Sequence, residues 1–181
     1  PSAELCPGST VTFTGTHTVV APAGTPSSFT WSVPAGYTIV SGQGTLTVEI
    51  TIGVNAGSIN VTASNYCGDA IASFVVTPVQ PYTLTSLDGE VLVCVGSSTQ
   101  LTTQSFTGTY VWTGPTGWTF DPPNPTGNSA IVIPGEAAVP GPLYVVVLNT
   151  CGAPSNQVAV GLSPSQPADL GSIEGPSLVC P

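Results

Sequence analysis

The side chains of this 181-residue sequence best suited to covalent chemistry are its five cysteines: Cys6, Cys67, Cys94, Cys151 and Cys180. None lies in a Cys-x-x-Cys pair or at a Cys/His zinc spacing, so we expect disulfides formed in an oxidising compartment. An odd number leaves at least one cysteine whose partner lies outside the chain. His17 is the only histidine, hence the only side chain whose unperturbed pKa lies near neutrality. A Ser/His/Asp triad would have to use it, and no nucleophile-elbow motif is present. We therefore expect His17 to be a surface loop residue, and we expect no catalytic residues and no enzyme. Asp88, Glu90 and Glu174 could in principle approach Ca²⁺, which takes about six to eight oxygens. No Asp-x-Asp run accompanies them, so solvated linker acids are the expectation, with no metal and no cofactor.

The charge balance excludes further chemistry. The chain has no Lys or Arg and nine acidic residues, a formal net charge of −9, and only 5% charged residues against about 25% in a typical domain. Nucleic-acid binding needs cations to displace phosphate counterions, and anionic membrane surfaces need the same groups. Lysine Schiff bases, Arg clamps and ion pairs to Lys or Arg are ruled out within the chain. The same absence removes every cleavage site for trypsin-like proteases. Gly and Pro supply 21 and 19 residues, yet 41% of the chain is hydrophobic, unlike a disordered sequence. No apolar run approaches the roughly 18 residues of a spanning helix, so direct membrane insertion is not expected. A start at Pro1 without Met suggests a mature protein or an internal piece of a longer one.

Stepping from these residues to what must hold them, the sequence repeats itself. Leu5-Cys6-Pro7-Gly8-Ser9-Thr10 returns as Val93-Cys94-Val95-Gly96-Ser97-Ser98 and begins again at Val179-Cys180-Pro181, at intervals of 88 and 86 residues. Phe29-Thr30-Trp31 with Pro34-Ala35-Gly36-Tyr37 matches Tyr110-Val111-Trp112 with Pro115-Thr116-Gly117-Trp118. Asn65-Tyr66-Cys67-Gly68 matches Asn149-Thr150-Cys151-Gly152, and Pro78-Val79-Gln80-Pro81 matches Pro164-Ser165-Gln166-Pro167. Four anchors in one order predict a first repeat over 1–80 and a second over 81–167. Residues 168–181 would then supply a linker and the first strand of a following repeat.

Inside each repeat the apolar residues alternate. Leu46, Val48, Ile50 and Ile52 interleave with Thr45, Thr47, Glu49 and Thr51, and Leu143, Val145 and Val147 flank Tyr144 and Val146. That period of two marks half-buried strands, punctuated by turns such as Pro7-Gly8 and Asn55-Ala56-Gly57. No segment has helical periodicity. The prediction is an all-β chain of two tandem seven-stranded Greek-key sandwiches. In the first, strand A ends at Cys6, B covers about 9–15, C surrounds Trp31, and C′ runs near 37–41. E then follows near 45–52, F near 58–65 and G near 70–77. Trp31 and Trp112 fall where an immunoglobulin-like sandwich keeps a core aromatic on strand C.

The pattern Cys-x-Gly-Ser, aromatic-x-Trp-x-x-Pro, Gly-aromatic, Asn-x-Cys-Gly resembles the PKD-like, immunoglobulin-superfamily repeats of large bacterial surface adhesins, including those associated with gliding motility and type IX secretion. The resemblance covers nearly the whole chain, twice. It implies secreted, extracellular, multi-repeat stalks or filaments and no active site. The first repeat departs from the second in an insert from His17 to Thr25, the second from the first in Asp121-Pro122-Pro123-Asn124-Pro125.

Two cysteine pairings stand. Pairing within repeats, Cys6–Cys67 and Cys94–Cys151, would close loops of about 60 residues, worth about 4 kcal/mol in the chain-entropy model. Strand direction argues for the other. If every connection reverses the chain, the ends of A and F lie at opposite poles, about 20 Å apart at roughly 3.3 Å per residue. A disulfide needs Cα atoms within about 7 Å. A staggered bridge from Cys6 to Cys151, between the A–B turn of one repeat and the F–G turn of the next, avoids that conflict. Cys94 and Cys67 would then pair with following and preceding repeats.

Tyr37 and Trp118 could stack on sugars, as in a carbohydrate-binding accessory module, although their matched positions after Gly also suit core covers. Asn60-Val61-Thr62 is an N-glycosylation sequon, and the many outward Ser and Thr could carry O-glycans. The expected partners are neighbouring repeats of the same chain or filament, with surface glycans or covalent O-glycans as candidates, and no nucleic acid.

Overall fold

The computed structural model describes residues 4–16 and 28–168. His17, Glu174, Cys180 and the expected extra strand after 168 lie outside them. Every regular element among the described residues is a strand. Two compact units form: one from Pro1–Pro81 with Leu148–Pro154, the other from Tyr82–Val147 with Ser155–Pro181.

In the first unit, β1 (Thr10–Thr14), β4 (Thr47–Thr51) and β3 (Thr38–Ser41) form one antiparallel sheet in the order β1-β4-β3. The second sheet is β2 (Ser28–Ser32), β5 (Gly57–Asn65) and β6 (Gly68–Val76) in the order β2-β5-β6. Alternation dictates what meets between them. Val48 and Ile50 of one sheet and Trp31, Ile59, Val61 and Val76 of the other form one buried cluster with Ile52 and Tyr37. Each such aliphatic side chain contributes about 1.5–3 kcal/mol by leaving water. The threonines between them face outward, and the Thr10–Thr51 and Thr14–Thr47 pairs put their hydroxyls 3.3 and 3.2 Å apart across β1 and β4.

In the second unit, β7 (Leu87–Asp88), β9 (Thr99–Thr103), β12 (Ser129–Pro134) and β11 (Trp118–Asp121) form a sheet in the order β11-β12-β9-β7. The facing sheet holds β10 (Thr109–Thr113), β13 (Gly141–Leu148), β14 (Val158–Ser165) and β8 (Leu92–Cys94), in the order β10-β13-β14-β8. Leu101, Val132, Leu143, Val145, Val147 and Leu162 pack between the sheets with Tyr110, Trp112 and Trp118.

The all-β sandwich prediction holds; the strand count differs. The described residues give six strands in the first unit and eight in the second. The difference is strand A. In the second unit it is broken in two, so that β7 lies antiparallel on β9 in one sheet and β8 lies parallel on β14 in the other. The break falls at Gly89, whose φ of +151° leaves the region favoured by L side chains and where a β-carbon would run into Leu101 and the Gln100 carbonyl. In the first unit Glu4–Cys6 is not a strand. Among the described residues the end of this pairing is kept, as the Val79 amide donates to Leu5 O at 2.9 Å.

Candidate functional site

The cysteine turns are the best-defined candidate. Cys6 and Cys151 form a disulfide, with Cα atoms 5.5 Å apart and 145 residues between them in sequence. Both belong to the first compact unit, because that unit includes Leu148–Pro154. Among the described residues Cys67 and Cys94 are free and exposed. The within-repeat alternative, Cys6–Cys67 with Cys94–Cys151, is therefore not formed. The staggered pairing is the one formed, between Cys6 of the first repeat and Cys151 of the second.

Each turn is built by local hydrogen bonds. After Cys6 the chain reverses through Pro7-Gly8, with the Ser9 amide donating to Cys6 O at 3.1 Å and the Ser9 hydroxyl donating to the same oxygen at 2.7 Å. Gly8, at φ +84°, donates its amide to Ile52 O at 2.8 Å. The Cys94 turn repeats this geometry: Ser97 donates to Cys94 O at 2.9 Å, and Gly96 donates to Pro134 O at 3.0 Å. At Cys151 the fixed point is Asn149, which is 5% exposed. Its Oδ1 accepts from the amides of Cys151 and Ala153 at 3.0 and 2.9 Å, and its Nδ2 donates to Gln80 O at 3.0 Å. The Cys67 turn carries the matching bond, from its amide to Asn65 Oδ1 at 2.8 Å. The sequence showed Asn-x-Cys-Gly as a recurring anchor without assigning the Asn a task. The signal was available, because Asn two residues before a turn amide is an Asx-turn former.

Tyr37 and Trp118 do not offer a sugar platform. Tyr37 is 7% and Trp118 8% exposed, and a ring in the core has no open face for stacking. Their polar atoms are also engaged, the Tyr37 hydroxyl donating to Asn55 O at 2.8 Å and Trp118 Nε1 to Val139 O at 3.0 Å. Burial pushes the Tyr37 phenol up from its ordinary pKa. The expected core residues Trp31 and Trp112 are buried in matching fashion, with indole donors on Thr45 O at 2.8 Å and Gly127 O at 3.0 Å. Sequence reading missed Gln43, whose amide group brackets the Trp31 backbone by accepting from its N–H at 2.7 Å and donating to its carbonyl at 3.0 Å.

Asp88 accepts from the Ser86 hydroxyl at 2.9 Å, and Glu90 is exposed. Among the described residues no three His, Cys, Asp or Glu side chains gather closely enough to hold a metal ion. Asn60 of the sequon lies on β5, where its Oδ1 accepts from the Ser73 hydroxyl at 2.6 Å. No helix of the described residues is long and apolar enough to cross a membrane.

Residues 2–77 match the model of the PKD-like domain. The first repeat is thus similar to PKD-like domains. No curated protein matches the chain. Among solved structures, an I-band fragment of titin, I67–I69, is similar at 16% identity and a TM-score of 0.44, covering 91% of this chain and 62% of that one. An amphioxus IgVJ-C2 molecule is similar at 16% identity and a TM-score of 0.39, covering 88% and 99%. The D00–D0 domain of intimin is similar at 10% identity and a TM-score of 0.37, covering 87% and 96%. The chain thus spans less than two thirds of the titin fragment's length. The Cys6–Cys151 disulfide fits an oxidising setting.

Proposed function

We propose that the chain is a segment of an extracellular stalk, in which PKD-like repeats are joined in series by staggered disulfides as part of a bacterial adhesin or surface filament. One observation carries this reading: Cys6 is bonded to Cys151, while their repeat counterparts Cys94 and Cys67 are exposed thiols on turns of the same construction. Cys94 takes the place of Cys6 toward a following repeat, and Cys67 takes the place of Cys151 toward a preceding one. The mechanism is mechanical. A bridge spanning 145 residues limits how far a pulled chain can extend before a covalent bond carries the load. The surface suits exposure, since it offers no Lys or Arg to a trypsin-like protease. Its outward Ser and Thr are candidate O-glycan carriers, which intact-mass measurement on native material would reveal.

The test is non-reducing peptide mapping of the protein taken from its native surface. We expect Cys67 and Cys94 in disulfides with cysteines of neighbouring repeats, together with the Cys6–Cys151 peptide. Quantitative alkylation of Cys67 and Cys94 as free thiols in native material overturns the reading.

A further inference from the structure

The two units differ at one edge, and the difference leaves an opening. In the second unit strand A closes the sandwich: β7 covers the edge of β9, β8 covers β14, and Leu84 is 2% exposed between them. The positions matching β9 and β14 are β1 and β6, and among the described residues both are edge strands. The Gly15 amide bonding to Leu46 O matches the Thr103 amide bonding to Asn128 O, which fixes the correspondence.

The consequence shows in the side chains. Val61 pairs with Ala72 and Ile59 with Phe74, so Ala72 and Phe74 face inward with Val61 and Ile59. Yet Phe74 is 52% exposed, held on one side by Phe13 at 5.6 Å between ring centroids. Two clefts open along this slot. One, of about 440 Å³, is lined by Leu5, Val11, Phe13, Phe74 and Val79. The next, of about 340 Å³, reaches the core residues Trp31, Ile59 and Val61 between β1 and β6.

The occupant is indicated by the sequence of the strand that fills this place in the second unit. Leu84-Thr85-Ser86-Leu87-Asp88-Gly89 recurs once, as Leu170-Gly171-Ser172-Ile173-Glu174-Gly175. We propose that the slot between β1 and β6 receives residues 170–175 of a second copy of this chain, adding a strand to the edge of β1, burying Leu170 as Leu84 is buried and half-burying Ile173 as Leu87 is. Strand addition of this kind draws affinity from main-chain bonds and specificity from alternate side-chain pockets. It goes beyond the stalk reading, because it makes each junction a non-covalent contact as well as a disulfide.

The contact is weaker than its counterpart in the second unit. There Asn156 holds the Leu84 backbone on both sides, accepting from its N–H at 2.7 Å and donating to its carbonyl at 2.8 Å. The register that sets Val158 opposite Val145 and Ala72 opposite Val61 puts Ala70 at the matching place. The added strand is therefore held by burial and ladder bonds alone, and it exchanges between copies.

The test uses the full chain carrying Cys67→Ser, Cys94→Ser and Cys180→Ser, which keeps Cys6–Cys151 and removes every other thiol. Sedimentation velocity reads self-association across a concentration series, and a synthetic peptide of residues 168–176 is the probe. We expect concentration-dependent association that the peptide dissolves and that Leu170→Asp with Ile173→Asp in the tail abolishes. We also expect the peptide to slow hydrogen exchange in β1 and β6 at least tenfold in that tail variant. A chain that is monomeric at every concentration overturns the second-copy assignment, including the case where its own tail or residues 17–27 occupy the slot. A peptide that protects neither strand overturns the docking site itself. Disulfide mapping of native material is unaffected by either result, so the two proposals fail separately.

Discussion

Replacing Cys6 and Cys151 together by Ser removes the bridge without leaving a lone thiol. In the chain-entropy model the loss is about 2.1 + 1.5R ln n in entropy. For the 145-residue separation this gives about 17 cal/mol/K, or about 5 kcal/mol at 25 °C. The figure is insensitive to how the chain unfolds. If the second unit stays folded while the first opens, the free chain is chiefly the roughly 75 residues from Cys6 to Pro81, and the logarithm lowers the result only to about 4.5 kcal/mol. Urea melts followed by tryptophan fluorescence read it directly. With m near 2 kcal/mol/M, the transition involving the first unit falls by about 2 M. The control is Cys67→Ser with Cys94→Ser, two exposed thiols whose loss shifts stability by no more than about 0.5 kcal/mol. If the two double variants differ by less than about 1 kcal/mol, the bridge is not what constrains the 148–154 turn, and the Asn149 hydrogen bonds do that work alone.

Four further outcomes follow from particular contacts. Gly42 and Gly44 share φ +87°, but a β-carbon at Gly42 runs into the Thr47 carbonyl whereas none meets anything at Gly44; in thermal melts Gly44→Ala therefore costs about 1 kcal/mol and Gly42→Ala about 3 or more. Asn149→Ala strips three hydrogen bonds from a buried turn and lowers stability by about 2–4 kcal/mol in urea, against about 1 kcal/mol for Asn65→Ala. Burial raises the Tyr37 phenol, so the unfolded chain releases its proton first, near pH 10, and stability falls as pH climbs from there through the folded pKa; Tyr37→Phe flattens that alkaline decline in urea midpoints. With nine carboxylates and no Lys or Arg, added NaCl screens repulsion and breaks no Lys or Arg ion pair, so the melting temperature stays level or rises up to about 0.5 M, and a fall would contradict this account.

Much of the fold was legible because burial follows period. Val48, Ile50 and Ile52 fall in the core where alternation placed them, and so do Leu143, Val145 and Val147. Trp31 and Trp112 were legible from their matched positions. Tyr37 and Trp118 were ambiguous because an aromatic after Gly serves a core cover or a sugar platform equally well in sequence. The carbonyls of Asn55 and Val139 decide between them, and those come from distant turns. Strand A was read only by its end at the first cysteine of a repeat, so its two pieces in the second unit were not foreseen. Its transfer from one sheet to the other depends on the backbone at Gly89 and on how close Leu101 lies. A glycine in a strand signals a break, but not which sheet the chain joins next.

The same reasoning separates what repetition can and cannot tell. Cys6 and Cys94 have the same turn, and Cys67 and Cys151 the same Asx bond, so sequence identity carried local geometry faithfully. It did not carry the edges. β6 and β14 occupy equivalent places, yet the inward-facing Phe74 of β6 is 52% exposed, whereas β14 has β8 beside it. The strand that covers β9 in the second unit comes from the residues that precede Cys94. An element that one repeat has and the other lacks cannot be found by comparing repeats for what they share. It is found by asking which apolar surface one repeat leaves open and the other closes, and here that surface is the slot beside Phe74.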